Sequence, residues 1–228
     1  MARTRDVIVI GAGPAGSAAA TYLARHGLDV LLLDKASFPR DKTCGDALTP
    51  RAIRELNHLE VLNEVERLAQ RVNSARIIGP NQRMVRAPMP ELQDAPDYML
   101  VLRRFLLDDL LRQQAIGSGV RCQEDVNVVH IAPGSNAVEI NAERAGRLVS
   151  FRAQIAIVAV GASIGLLRRI GLLTDVPEMV LAARGYFDVG LDLIQELEFH
   201  FLKSDLPGYA WIFPLGNQQA NIGAGMIE

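Results

Sequence analysis

Three stretches carry residue types that do chemistry, and the first opens the chain. Gly11-Ala12-Gly13-Pro14-Ala15-Gly16 follows the apolar run Val7-Ile8-Val9-Ile10, and Asp34 closes a second run, Val30-Leu31-Leu32-Leu33. Backbone N–H groups at a helix N-terminus reach a dinucleotide's pyrophosphate only where no side chain intervenes. On that logic Gly11 makes the turn, Gly13 admits the phosphate, and Gly16 lets helix and strand pack closely. Pro14 suits the first helical turn, where its missing N–H has no intrahelical partner. Asp34 falls near the spacing of about 20 residues at which an acid accepts ribose hydroxyls. The glycine pattern does not distinguish FAD from NAD. In the second stretch, Cys44 stands beside Gly45 and follows Arg40 and Lys42. Such an electropositive neighbourhood favours a thiolate; a partly buried, inert thiol fits the same spacing. The third stretch sets Tyr209, Trp211 and Phe213 at alternate positions, on one face of a strand. An aromatic core stripe and a pocket wall both satisfy that spacing.

The elements that must position these residues follow from the pattern around them. Residues 7–34 read as strand, glycine turn, helix to Gly27 and second strand. A polar loop leads to a helix from Pro50, and Leu56, Leu59, Leu62, Val65 and Leu68 recur at helical spacing. Residues 75–86 form a hairpin about Gly79-Pro80-Asn81. Leu102 to Arg112 opens a helix closed by Gly117-Ser118-Gly119. Arg103 at its start opposes the helix dipole, so it is either a solvated arginine or one facing an anion. Val120 to Ile131 reads as one strand, with Cys122 in its core alternation. A hairpin, 137–142 and 148–155, then runs into Ile155 to Val160, an apolar run of the kind buried in a parallel sheet. Gly161-Ala162-Ser163 opens the next helix. From Met179 onward the pattern is alternating strands.

Size and charge narrow the classes. A chain of 228 residues exceeds a minimal domain. With a net charge of −2 and no long basic run, nucleic acid is excluded as the expected partner. Cys44 and Cys122 are too few for a disulfide framework, and the four histidines lack metal-ligand spacing. No metal is expected, and the composition suits the cytoplasm. The longest apolar run, Ile155 to Leu167, is broken by Gly161, Ser163 and Gly165. It is too short to span a bilayer of about 30 Å, so any membrane contact is expected to be peripheral.

The glycine turn ending in Asp34-Lys35, followed by Phe38-Pro39-Arg40-Asp41-Lys42-Thr43-Cys44-Gly45-Asp46, resembles the geranylgeranyl reductase family of flavoproteins. Within it, the sequence is most similar to the reductases that saturate a menaquinone prenyl bond. Tyr209, Trp211 and Phe213 before a proline and glycine are a second point of resemblance. The resemblance implies an α/β fold: a Rossmann-like FAD-binding domain of the p-hydroxybenzoate hydroxylase class, with a discontinuous antiparallel-sheet substrate domain. Residues 1–72 and 98–176 are assigned to the first, and 73–97 and 177–228 to the second. It further implies that Cys44, Gly45 and Asp46 lie beside the flavin, with Arg40 and Arg103 near its phosphates or ribityl chain and Val126 near the adenine. Ala15, Lys35 and Gly161 complete the cofactor set. The family carries Gly-Ala-Asp-Gly after the parallel strand, whereas this sequence has Gly161-Ala162-Ser163-Ile164. That departure bears on the pyrophosphate and on entry of the nicotinamide donor.

The activity so implied is reduction of isoprenoid C=C bonds in a prenylated lipid or quinone, with NAD(P)H as possible electron donor. An isolated alkene accepts hydride only if one carbon is protonated as hydride reaches the other. Cys44 is the expected proton donor. The faces of Tyr209, Trp211 and Phe213 would bury an isoprene unit and stabilise transient positive charge. The competing expectations are a flavin monooxygenase or halogenase of the same fold and a non-catalytic nucleotide-binding fragment. Halogenases of this class carry a Trp-x-Trp-x-x-Ile stretch that is absent here. Family members continue into a Gly-Asp-containing segment beyond the aromatic strand. With Glu228 preceding any such segment, the chain is expected to be a piece or a short form that retains FAD weakly.

Overall fold

The computed structural model describes residues 3–175, 177–178, 180–190, 196–203 and 206–227. The first elements in chain order are β1 (Thr4–Ile10), α1 (Pro14–Arg25), β2 (Val30–Leu33) and β3 (Ala47–Leu48). Next come α2 (Pro50–His58), α3 (Leu62–Leu68), β4 (Gln70–Val72), β5 (Ser74–Ile78), β6 (Met84–Pro88), β7 (Met99–Val101) and α4 (Arg104–Gly117). These are followed by β8 (Arg121–Gln123), β9 (Asn127–Pro133), β10 (Val138–Arg144), β11 (Arg147–Val158) and α5 (Gly165–Arg169). The last four are β12 (Val180–Asp188), β13 (Leu197–His200), β14 (Tyr209–Gly216) and β15 (Gln219–Ile227). The chain forms two compact units, Met1–Arg40 with Phe105–Val176, and Asp41–Arg104 with Pro177–Glu228.

In the first unit a six-stranded sheet runs β8-β2-β1-β11-β10-β9. The first four strands are parallel, with Val7 opposite both Val30 and Ile155 and Leu32 opposite Cys122. Parallel neighbours need a crossover between them, which α1 supplies between β1 and β2. Alternate residues of β1 and β2 face opposite sides, so the two apolar runs supply two cores at once. Val7, Val9, Val30 and Leu32 pack with Ala20 of α1 and Ala115 of α4. Ile8, Ile10, Leu31 and Leu33 pack with Val126, Ile140 and Leu166.

Two local features depart from the sequence reading. Val120 to Ile131 is divided into β8 and β9, because Asp125 adopts a left-handed backbone with φ of 58° and breaks the ladder. The hairpin strand and the apolar run after it are a single strand, β11. It is antiparallel to β10 over its first half and parallel to β1 over its second. Its apolar end is less buried than such a run predicts, with Ile155 56% exposed.

The second unit holds a six-stranded sheet, β12-β15-β14-β13-β5-β6, and a small sheet, β3-β7-β4. The larger sheet is antiparallel apart from the pair β13 and β5. Thr49 Oγ1 caps α2 by accepting from the Ala52 N–H at 3.3 Å, Pro50 follows in the first turn, and Ile53 and Leu56 are buried. Residues 41–72 pack in this unit, although the sequence reading grouped them with 1–40. The physical reason is that β3 and β4 both pair with β7, whose Val101 shares a core with Val72, Leu197, Trp211 and Phe213.

A carboxylate cluster on this sheet gives one testable consequence. Glu196 accepts from Ser74, from Arg86 and from Arg76 Nε at 2.7 Å. The Ser74 hydrogen bond, with the two arginines, outweighs burial and holds its carboxyl below the usual glutamate range. A depressed folded pKa means stability that is present above the unfolded value and lost as pH falls through the folded one. Acid unfolding followed by circular dichroism should therefore steepen below about pH 4.3, and Glu196→Gln should flatten that part of the curve.

Candidate functional site

In the first unit the candidate site is built on the junction of β1 and α1. Gly11 has φ of 106°, and a Cβ there would stand 2.4 Å from the Ala159 carbonyl oxygen. At Gly16 a Cβ would stand 1.8 Å from the Gly11 oxygen. These two glycines are therefore required by the fold itself. Gly13 differs, since its Cβ would meet only Arg40 Nη2, at 3.5 Å. The protein leaves room at Gly13 that an ordinary side chain would fill. Gly13 is also the N-cap of α1 and provides no side-chain cap, while Pro14 occupies the first turn. Open N–H groups and the positive end of the helix dipole face that room.

Neighbouring polar groups complete the rim. Asp34 is buried and accepts from the Ala12 N–H at 2.6 Å and the Ala36 N–H at 2.9 Å, tying the acid to the glycine turn. Lys35 Nζ donates to Ser163 Oγ at 3.3 Å, so the serine in the position of the family's aspartate faces the lysine after Asp34. Arg40 Nη1 lies 3.0 Å from the fully buried Asp108 carboxylate, yet makes no well-directed hydrogen bond. Its guanidinium also stands 4.9 Å from the Phe38 ring centroid. The loop bearing it is stapled by the Phe38 N–H to Glu124 at 3.1 Å and Ser37 Oγ to Asp125 at 2.7 Å. Val126 is buried, and its N–H donates to the Asp34 carbonyl at 2.9 Å. Gly161 has φ of 59° with open space around it. Thus Gly11, Gly13, Pro14, Ala15, Gly16, Asp34, Lys35, Arg40, Val126 and Gly161 all fall in one unit. A guanidinium whose Nη2 borders a glycine with room to spare, beside an uncapped helix N-terminus, fits the phosphates of a dinucleotide.

The remaining candidate residues gather in the second unit. Asp46 holds φ of 67° and is 1% exposed. Its Oδ1 accepts from the Arg104 N–H at 3.2 Å, and its Oδ2 from Tyr186 Oη at 2.9 Å and Asn221 Nδ2 at 2.8 Å. Burial raises its pKa against the opposing pull of those donors. Burial, reinforced by the hydrogen bond to Asp46, also pushes the Tyr186 hydroxyl up, so it remains a donor. The Tyr186 ring has guanidinium groups at 4.3 Å from both Arg103 and Arg184. Arg103 Nη2 donates to Gln219 at 2.6 Å, and Arg184 pairs with Asp41. At Asp41 burial acts upward, but the Arg184 hydrogen bond and charge hold the carboxyl below its usual range.

Cys44 is half-buried and unbridged. Gly45 is required by packing, because a Cβ there would stand 2.7 Å from the Phe213 ring. Tyr209, Trp211 and Phe213 share one face of β14, with successive ring centroids 6.0 Å and 6.2 Å apart. Trp211 and Phe213 are buried, while Tyr209 is 38% exposed. Cys122 is half-buried in the first unit, and burial raises its thiol pKa, as expected of a core cysteine.

Sequence reasoning missed Asn221, Tyr186, Arg184 and Asp108. The first three lie on β12 and β15, and the residues they bond are distant in sequence. A signal existed for Asn221 alone, as an amide between Ala220 and Ile222.

The profile of a family described as "FAD binding domain" matches residues 4–183. A menaquinone reductase of Mycobacterium tuberculosis is 38% identical over 98% of this chain and 55% of its own length. A digeranylgeranylglycerophospholipid reductase of Methanosphaera stadtmanae is 30% identical over 97% of this chain and 54% of its own. Among solved structures, a geranylgeranyl bacteriochlorophyll reductase-like protein of Thermoplasma acidophilum superposes with a TM-score of 0.84. It is 26% identical, over 98% of this chain and 57% of that one. The chain spans about half the length of the curated relatives it matches. No helix among the described residues is long and apolar enough to cross a membrane.

Proposed function

We propose, for a chain that belongs to the FAD binding domain family, that it carries the dinucleotide cradle and part of the substrate wall of a reductase of prenyl double bonds. The substrate class is a prenylated quinone or lipid, and NAD(P)H is the electron donor. The observation that carries the cofactor half is the room at Gly13, bordered by Arg40 Nη2, at the N-terminus of α1 where no side chain caps the helix. Similarity along nearly the whole chain to reductases named for menaquinone and geranylgeranyl lipids supports the substrate half.

In this reading the first turn of α1, from Gly11 through Pro14 and Ala15 to Gly16, receives the pyrophosphate with Arg40. Asp34 and Lys35 serve the ribose, Val126 the adenine, and Gly161 the opposite rim. Gly45, Asp46 and Arg103 serve the flavin end. Bound FAD supplies the hydride chemistry. Cys44 gives its thiol proton to one alkene carbon as hydride reaches the other, and regains a proton from solvent. Tyr209 presents the exposed end of the aromatic stripe to the isoprene chain, with Trp211 and Phe213 setting its position from beneath. Each buried CH₂ contributes about 0.8 kcal/mol to holding that chain.

The test is to incubate the flavin-loaded protein with NADPH and a prenylated quinone and to weigh the product. A gain of two hydrogens is expected. A gain of oxygen with oxygen uptake would replace this reading by a monooxygenase, and an unchanged substrate would leave a nucleotide-binding protein.

A further inference from the structure

Cys44 sits in a stretch, residues 41–46, that no strand ladder holds. Side chains of β12 and β15 hold it instead. Arg184 pairs with Asp41 and donates to the Lys42 carbonyl at 3.2 Å. Tyr186 donates to Asp46 at 2.9 Å. Asn221 Nδ2 donates both to the Cys44 carbonyl and to Asp46 Oδ2, each at 2.8 Å.

Only one orientation of the Asn221 amide satisfies its surroundings. Trp211 Nε1 can only donate, and it donates to Asn221 Oδ1 at 3.0 Å. Reversing the amide would set its NH₂ against the indole N–H and its oxygen against two acceptors. At 0% exposure no water relieves such mismatches. Trp211 cannot swing away to accommodate them. A Cβ added at Gly45 would lie 3.4 Å from its Nε1, and one at Gly223 would lie 2.3 Å from its Cζ2, so the indole is packed against two glycines.

We propose that Asn221 is a positioning residue for Cys44, and that Trp211 acts on the reaction through its indole N–H by locking the Asn221 amide. This rests on the reading of Cys44 as proton donor. Misplacing a reacting group by about 1 Å costs up to about 100-fold in rate, so the hold on the Cys44 backbone governs turnover rather than substrate affinity.

The experiment uses the flavin-loaded enzyme in a Cys122→Ser background and measures two things. One is the rate at which iodoacetamide alkylates Cys44; the other is kcat and KM for a prenylated quinone. Asn221→Ala is expected to change the alkylation rate severalfold and to lower kcat on the order of 10- to 100-fold, with KM and flavin content unchanged. Trp211→Phe, which keeps an aromatic ring and removes the N–H, should move alkylation and kcat in the same direction by less. Parent-like alkylation and kcat in Asn221→Ala would overturn the proposal; if that variant does not fold, the same result in Trp211→Phe would do so. A fall in kcat matched by a rise in KM would also overturn it. Full turnover by Cys44→Ala would remove the proton-donor reading separately, while the alkylation rates measured on the Cys44-containing variants still decide whether Asn221 holds Cys44.

Discussion

A methyl group added at Gly13 is expected to leave the protein folded and to weaken FAD binding by about 10- to 100-fold, or roughly 1.4 to 2.8 kcal/mol. The new Cβ would rest 3.5 Å from Arg40 Nη2, an ordinary contact, so the fold has no reason to resist it. It would nevertheless occupy the room through which a phosphate comes close to the N–H groups of α1. Gly16→Ala should behave in the opposite manner. Its Cβ would stand 1.8 Å from the Gly11 oxygen, and α1 would have to move off β1. The expected loss of stability lies at or above the upper end of the roughly 1–3 kcal/mol typical of overpacking. Urea denaturation separates the two variants, and flavin fluorescence titration measures the binding. Equal stability losses, or an unchanged affinity in Gly13→Ala, would remove the pyrophosphate from this turn.

Cys44→Ala should spare flavin content and reduce prenyl saturation by about 10²- to 10⁴-fold, the range in which a positioned general acid contributes. An isolated alkene has no carbonyl or other group to take up charge as hydride arrives, so loss of the proton source removes the step itself. Cys44 suits that task by being unbridged and half-buried, on a backbone whose carbonyl is fixed by Asn221. Steady-state reduction of a prenylated quinone, with flavin content read from the visible spectrum, checks the prediction. Unchanged turnover would exclude Cys44 from proton transfer.

Much of this fold was legible because local pattern and tertiary role agree. The run from Val7 to Asp34 specifies a strand, turn, helix and strand whose alternate residues supply two cores, and β1, α1 and β2 form there. The alternation after Met179 likewise becomes β12 to β15, and the spacing of Tyr209, Trp211 and Phe213 does put their rings on one face. What escaped depends on single residues or on distant partners. The break at Asp125 turns on one left-handed backbone angle, which aspartate tolerates but does not announce. The placement of residues 41–72 depends on β7 pairing with both β3 and β4, a long-range choice that no local period encodes. The polar network about Asp46 joins residues from Asp41 to Asn221. No local pattern pairs these residues, and only the folded structure brings out that Asp46, Tyr186, Asn221 and Trp211 must satisfy one another.

Gly13 and Gly16 also show why a motif alone underdetermines a site. Both are glycine in the pattern, yet one answers to the protein's own backbone and the other to nothing the protein contains. That difference appears only once the neighbours of each missing Cβ are known. The most direct measurement of the account is therefore where a nucleotide lands. Titrating isotope-labelled protein with ADP and following amide resonances should give the largest shifts at Gly13, Ala15, Gly16 and Ser17, with smaller ones at Asp34 and Lys35. Saturating shifts confined to other residues, or none across the first turn of α1, would contradict it.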